Sequence, residues 1–285
     1  MRSQTNYKEQ KDLVGRPPAR KDSLRPNILR KRLDKSIFGR DIIFHETLDS
    51  TNSLTKELST GGAPEGTLVL CEEQTAGRGR VGRRWLSPKH ANLLFSVLLR
   101  PKIPPGEVFS LTMILALAAI DAIKGVCSLK VMIKWPNDLY VGGKKLGGIL
   151  TEFSAWKNHV EYVVLGLGLN VNWRPGESEG LVYPATSIMA ETGRKVSRED
   201  LLVQTLKNLE AYYRKISSGG VKDFHERWNE ESVLRDKRVE IRAPGERICG
   251  KARGIDALGA LIIVDDDGQE RKIVNGEVSV REMSS

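Results

Sequence analysis

Apolar positions along this chain change their spacing in a way that separates helices from strands. Ile28, Leu29 and Leu33 share a face at helical spacing, so a short helix is expected over Leu24–Leu33. Asp41–His45 reads as a strand and leads into Leu48-Asp49-Ser50-Thr51-Asn52, which supplies helix N-cap residues. The helix continues over Ser53–Thr60 and stops at Gly61-Gly62. Thr67–Glu73 and the apolar run Asn92–Leu99 are expected strands. Val108–Lys124 is apolar nearly all round and predicts a central core helix. Leu129–Trp135 is read as a strand that Leu139-Tyr140-Val141 resumes. Gly142-Gly143 then turns the chain into Lys145–Glu152, making a hairpin. Val160–Leu165 is a further strand that runs into Gly166-Leu167-Gly168-Leu169-Asn170, and helices follow over Ser197–Ile216 and Val221–Glu230. From Arg238 onward, short strands alternate with Gly and Asp turns, which fits a small antiparallel barrel of about fifty residues.

The charge is unevenly distributed. The net charge is +9; the first forty residues hold 12 Lys and Arg against 4 Asp and Glu, and the other 245 hold 33 against 32. The excess therefore belongs to an N-terminal arm, read as a solvated, disordered leader that could also attract nucleic acid. No apolar run approaches the roughly eighteen residues needed to span a membrane, and no signal peptide is expected. Cys71, Cys127 and Cys249 are far apart and form no C-x-x-C pair, and the four histidines are scattered. A disulfide framework or a side-chain metal site is therefore not expected, and a cytoplasmic location fits.

Candidate chemistry concentrates in four places. Gly77-Arg78-Gly79-Arg80-Val81-Gly82 spells the G-x-G-x-x-G of a dinucleotide-binding turn. The context fails, because Pro88 and a β-like run follow in place of a helix, and no acidic residue stands about twenty positions on. What remains is either a loop of solvated arginines or a grip for phosphate or carboxylate, with Arg78, Arg80, Arg83 and Arg84 close to Trp85. Lys134-Trp135-Pro136-Asn137-Asp138, followed by Lys144-Lys145, puts a lysine at the start of a strand. There it can stabilise charge on a phosphoryl or acyl-phosphate group, or simply mark a turn. Asp49-Ser50-Thr51-Asn52 alone is an N-cap, and Gly166–Asn170 alone is equally a bulged strand. No nucleophile triad or carboxylate pair stands out, so any catalysis is expected to work by positioning and electrostatics.

These pieces occur in one order: Asp-Ser-Thr-Asn, Gln-x-x-Gly-Arg-Gly-Arg-x-Gly-Arg-x-Trp, Lys-Trp-Pro-Asn-Asp, Lys-Leu-x-Gly-Ile-Leu-x-Glu and Gly-x-Gly-x-Asn. Together they resemble the biotin protein ligases, from about Leu24 to the C-terminus. The resemblance implies an α+β fold: a mixed β-sheet flanked by helices, of the class II aminoacyl-tRNA synthetase/biotin ligase-like type, with a small C-terminal SH3-like β-barrel. The implied division is a basic arm at 1–23, a catalytic biotin/ATP-binding domain at 24–234 and the SH3-like domain at 235–285. The implied activity is ATP-dependent: biotin becomes biotinyl-5′-AMP and is then transferred to a lysine of a biotin carboxyl carrier protein. Mg²⁺ would accompany the nucleotide, with no metal site of the protein's own.

By the same resemblance, Ser50, Thr51, Asn52, Gln74, Arg78, Gly79, Arg80 and Lys145 would bind biotin, with Lys145, Arg80 and Arg78 also catalytic. Trp85, Asn137, Asn170 and Arg281 would bind ATP and the adenylate, and the Gly–Arg loop would order on binding. The expected type is monofunctional, since 23 residues before Leu24 are too few for the winged helix-turn-helix of repressor members; no specific DNA binding and no membrane contact are expected. Relatives can dimerise through the main sheet, so a homodimer is admitted. The alternatives are a lipoate or octanoate ligase of the same fold and a biotin-responsive repressor.

Overall fold

A computed structural model describes residues 23–175, 184–243, 246–274 and 276–280. The basic arm, apart from Ser23, and Arg281 lie outside the described residues. Seven strands form the main sheet: β1 (Ile42–Leu48), β2 (Leu68–Gln74), β3 (Leu93–Leu99), β4 (Met132–Lys134), β5 (Asp138–Val141), β6 (Lys144–Trp156) and β7 (His159–Leu169). Their spatial order is β1-β2-β3-β7-β6-β5-β4. β1 and β2 run parallel, and every other neighbouring pair is antiparallel. The helices are α1 (Pro26–Arg32), α2 (Thr51–Thr60), α3 (Phe109–Cys127), α4 (Ile188–Thr192), α5 (Arg198–Ser217) and α6 (Lys222–Glu230). This is the expected mixed sheet flanked by helices.

The two-residue period of a strand decides what each face of the sheet carries. In β3, Leu93, Phe95, Val97 and Leu99 enter the main core with α3 and α5, while Leu98 enters a smaller core under α2. In β7, Val163, Leu165, Leu167 and Leu169 face the main core, and Tyr162 and Val164 face α2. With both faces covered, each strand reads as a mainly apolar run and not as a strict alternation. The α2 face changes character along these strands: the next positions on it are Ser96, Gly166 and Gly168, one polar and two without side chains. That is where a cavity opens. By length and composition α3 could cross a bilayer, but here it lies buried between the sheet and α5.

The first described residues are tied down by a buried ion pair. The Leu24 amide donates to Glu72 Oε1 at 2.7 Å, and Arg198 Nη1 donates to Glu72 Oε2 at 2.6 Å, with both charged side chains almost fully buried. Leu24, Leu29 and Leu33 then anchor α1 in the core.

Three local readings change. Leu139–Val141 does not resume the preceding strand. β5 folds back antiparallel on β4 after Trp135-Pro136-Asn137, where proline has no amide hydrogen for a ladder and asparagine favours a turn. β6 and β7 run well beyond Glu152 and start before Val160, pairing as far as Trp156 with His159. Phe153 and Trp156 are exposed there, so burial alternation gives no sign of the extension and backbone pairing alone carries it. α2 begins at Thr51, two residues earlier than the pattern suggests.

The C-terminal unit is the small antiparallel SH3-like sheet: β8 (Arg238–Ala243), β9 (Glu246–Ile255), β10 (Leu261–Asp265), β11 (Glu270–Ile273) and β12 (Glu277–Val280), in the order β11-β10-β9-β8-β12. Among the described residues no ladder joins the two edge strands. The unit is fastened to the rest of the chain by Trp135 Nε1, in the turn after β4, donating to the Gly259 carbonyl at 2.8 Å and by the Ile255 amide donating to Asn229 Oδ1 of α6 at 2.9 Å.

Candidate active site

A cavity of about 480 Å³ lies on the α2 face of the sheet. That volume suits a small organic ligand. Its floor is polar and buried. Ser50, Thr51 and Asn52 open α2, yet the Ser50 side chain makes no capping hydrogen bond. The cap comes from a distant residue: Gln74 Oε1, at the end of β2, accepts from the Thr51 amide at 2.8 Å and from Thr51 Oγ1 at 3.1 Å. The N-cap reading of this segment is thus only half right, because the hydroxyl of Ser50 is left to line the cavity. Ser96 Oγ donates to Asn52 Oδ1 at 2.6 Å and lies 2.8 Å from Thr51 Oγ1. Asn52 reaches this position because Gly166 has no side chain: a Cβ there would sit 1.9 Å from Asn52 Oδ1.

The Gly–Arg segment forms a tight hairpin over the floor. The Gly79 amide donates to the Arg83 carbonyl at 2.7 Å and the Trp85 amide to the Gly77 carbonyl at 2.9 Å. No helix follows, which agrees with rejection of the dinucleotide fingerprint. Val81 at the tip has φ 53° and is largely exposed, a left-handed conformation that a β-branched residue adopts only under strain. Arg80 turns inward. Burial lowers its pKa below the usual guanidinium value; Asp138 opposes this and Arg83 adds to it. Arg78 lines the cavity, but its guanidinium is engaged by Glu152 Oε2 at 2.7 Å.

At the other end, Lys145 is held through its backbone: its amide donates to the Pro184 carbonyl at 2.8 Å, and its carbonyl accepts from the Thr186 amide at 2.9 Å. Its Nζ is 2.7 Å from Asp138 Oδ1 and 5.8 Å from the centre of the Trp85 ring. Trp85 rests on bare backbone, since a Cβ at Gly168 would lie 2.6 Å from its Cε2. The indole nitrogens of Trp85 and Trp173 are buried without a protein partner among the described residues, and both rings line the cavity. Asn137 donates to the Ile149 carbonyl; Asn170 donates to the Thr186 carbonyl at 2.9 Å and accepts from Asn92 at 3.1 Å. Each Nδ2 keeps a second hydrogen for a ligand.

One cavity therefore gathers Ser50, Thr51, Asn52, Gln74, Arg78, Gly79, Arg80, Trp85, Asn137, Lys145 and Asn170, leaving only Arg281 outside the described residues. Sequence reasoning gave no role to Ser96, Asp138, Glu152 or Trp173, nor to Gly276 and Val278, which line the cavity from the C-terminal sheet. Ser96 had a signal, as the one hydroxyl inside the run NLLFSVLL. Asp138 and Glu152 each end a motif, Lys134–Asp138 and Lys145–Glu152, and Trp173 had no signal at all.

Residues 44–170 match the biotin/lipoate A/B protein ligase family, and residues 236–281 match the biotin protein ligase C-terminal domain. The bifunctional ligase/repressor BirA of Bacillus subtilis is 34% identical over 253 residues, covering 88% of this chain and 78% of that relative. The chain belongs to the biotin protein ligase family. Another relative in the family, the biotin–[acetyl-CoA-carboxylase] ligase of Paracoccus denitrificans, is 31% identical over 78% of this chain and 93% of its own. Among solved ligases, that of Aquifex aeolicus in complex with biotin and ATP superposes with a TM-score of 0.72 at 29% identity, covering 85% of this chain and 99% of its own.

Proposed function

We infer that this chain is an ATP-dependent biotin protein ligase. A biotin carboxylate oxygen attacks the α-phosphorus of ATP, the α–β phosphoanhydride bond breaks, and pyrophosphate leaves. A carrier lysine amine then attacks the acyl carbon of biotinyl-5′-AMP, and AMP leaves. The observation that carries this reading is one cavity with a polar floor at one end and Lys145, Arg80 and Trp85 around the other. Biotin's ureido head fits the floor of Ser50, Thr51, Asn52 and Gln74, where amides and hydroxyls offer donors and acceptors. Lys145 and Arg80 supply positive charge where the carboxylate meets the α-phosphate. Trp85 offers a face to the adenine, with Asn137 and Asn170 at its edge; Arg281, outside the described residues, is assigned to the nucleotide by family resemblance alone. The Gly–Arg hairpin closes over the intermediate. Relatives named as biotin ligases and the matched C-terminal domain favour biotin over lipoate.

Mg²⁺ would arrive on the ATP phosphates, which suits an ion that keeps few protein ligands; no carboxylate or histidine cluster able to cage a metal exists among the described residues. The acceptor is a biotin carboxyl carrier domain, and ligation, without sequence-specific DNA binding, is the activity assigned. We place the protein in the cytoplasm, consistent with its unpaired cysteines. Burial pushes the Cys71 thiol up to about 12, which keeps it inert. A homodimer, and the division at residues 23/24 and 234/235, belong to the same reading.

Purified protein is expected to exchange labelled pyrophosphate into ATP only when biotin is present; exchange that ignores biotin, or follows lipoate, would overturn the assignment. Gly168→Ala is expected to displace the Trp85 ring, an overpacking cost of about 1–3 kcal/mol. The loss should appear as a KM for ATP raised roughly tenfold or more, with KM for biotin changed far less. Equal effects on both substrates would place Trp85 elsewhere.

A further inference from the structure

The Gly–Arg hairpin is fastened to the sheet by a carboxylate that the reaction does not use. Glu152 lies in β6 on the same face as Gly148 and Leu150. Its Oε2 accepts from Arg78 Nη2 at 2.7 Å and from Asn52 Nδ2 at 3.0 Å. Asn52 is itself fixed, donating to the Leu150 carbonyl at 3.1 Å and accepting from Ser96. A continuous polar line thus leaves the chain at Gln74, crosses the cavity floor through Thr51, Ser96 and Asn52, and returns through Glu152 to Arg78. Gln74 and Arg78 flank the start of the hairpin, so both ends of the line grip the same limb.

Glu152 does not line the main cavity. It borders a second hollow, bounded by residues 76–84 and Leu150. Arg78 borders both spaces. Its guanidinium is taken up by Glu152, whereas Arg80 lines the cavity beside Asp138. Arg78 in this arrangement is a fastener, and Glu152 is what it fastens to.

We propose that Glu152 is the positioning residue of the Gly–Arg hairpin: acting through Arg78, it holds the hairpin down on the biotin floor and sets how long the acyl-adenylate stays enclosed. The proposal rests on the ligase reading above. A carboxylate oxygen shared by two donors gives a charge-assisted contact of defined geometry. The Arg78 side chain is 43% exposed, so solvent screens the pair and the effect is moderate.

The test forms labelled biotinyl-5′-AMP on the full-length enzyme without carrier and follows its escape after a chase. Glu152→Ala is expected to speed escape about fivefold, the size of a screened ion pair together with its hydrogen bond. Glu152→Gln keeps an acceptor for Asn52 and Arg78 but not the charge, and should fall between wild type and Glu152→Ala. Arg78→Ala/Glu152→Ala should release adenylate no faster than Arg78→Ala alone, because the two act as one unit. Wild-type escape rates in both Glu152 variants would overturn the proposal, as would strictly additive effects in the double variant. Slower escape would also overturn it, since Glu152 would then be holding the hairpin open. If Glu152→Ala fails to fold, Glu152→Gln decides: wild-type retention counts against the proposal and faster escape supports it. A wild-type protein that forms no adenylate in biotin-dependent exchange sinks the ligase reading instead, which keeps the two failures apart.

Discussion

Replacing Lys145 with alanine is expected to lower the rate of adenylate formation by about a hundred- to a thousandfold, the usual cost of removing one preorganised group that stabilises developing charge. The expectation rests on how the residue is held. Hydrogen bonds on both sides of its backbone fix the start of β6, and Asp138 at 2.7 Å fixes the ammonium. The charge is in place before substrate arrives, so little reorganisation is needed at the transition state. Removing it also takes the close ammonium partner from Asp138, leaving Arg80 as its neighbouring cation, so the carboxylate repels biotin carboxylate and phosphate more strongly. Arginine should not rescue the variant, because a planar fork cannot replace a compact ammonium between Asp138 and Trp85. Single-turnover adenylation and transfer to a carrier domain, measured separately, check this. A loss smaller than about fivefold in both steps would remove Lys145 from the catalytic machinery.

Arg198→Ala is expected to have the largest effect on stability, although Arg198 is remote from the reacting groups. It would leave Glu72 buried with a charge, held by the Leu24 amide at 2.7 Å and with the His90 ring nitrogen no closer than 3.5 Å. Breaking a buried pair on one side costs about 3–5 kcal/mol. In a domain of this size that lowers Tm by on the order of 10 °C. Removing both charges, as in Glu72→Leu/Arg198→Leu, should recover part of the loss, because no uncompensated charge is left. Recovery should be incomplete, since the Leu24 amide then loses its acceptor. Thermal unfolding of the two variants beside wild type measures both effects. A single variant as stable as wild type, or a double variant worse than the single, contradicts this account.

What could be read from residues alone follows from where side chains dominate. The main core strands and α3 were legible because burial on both faces writes continuous apolar runs such as Leu93–Leu99. Floor and loop residues were legible because several unusual motifs occurred in a fixed order. What could not be read was pairing between distant groups. Gln74 capping α2 across 23 positions, and Glu152 meeting Arg78 across 74, depend on the sheet order. The same holds for Arg78: four arginines within seven residues suggest a clamp, and only the fold shows that one of them is paired with Glu152. The outer part of β6 was invisible because its apolar residues, Phe153 and Trp156, face solvent and break the alternation that marks a strand.

Gly276 and Val278 close one side of the cavity, although they belong to a sheet joined to the rest by contacts such as Trp135 to Gly259. Part of the binding chamber is therefore lent by a second folding unit. Whatever ligand touches that wall feels the strength of the joint as part of its own affinity, and by reciprocity its binding tightens the joint. The small unit thus acts as a gauge of occupancy: a filled chamber should make the two units melt together, and an empty one should let them part first.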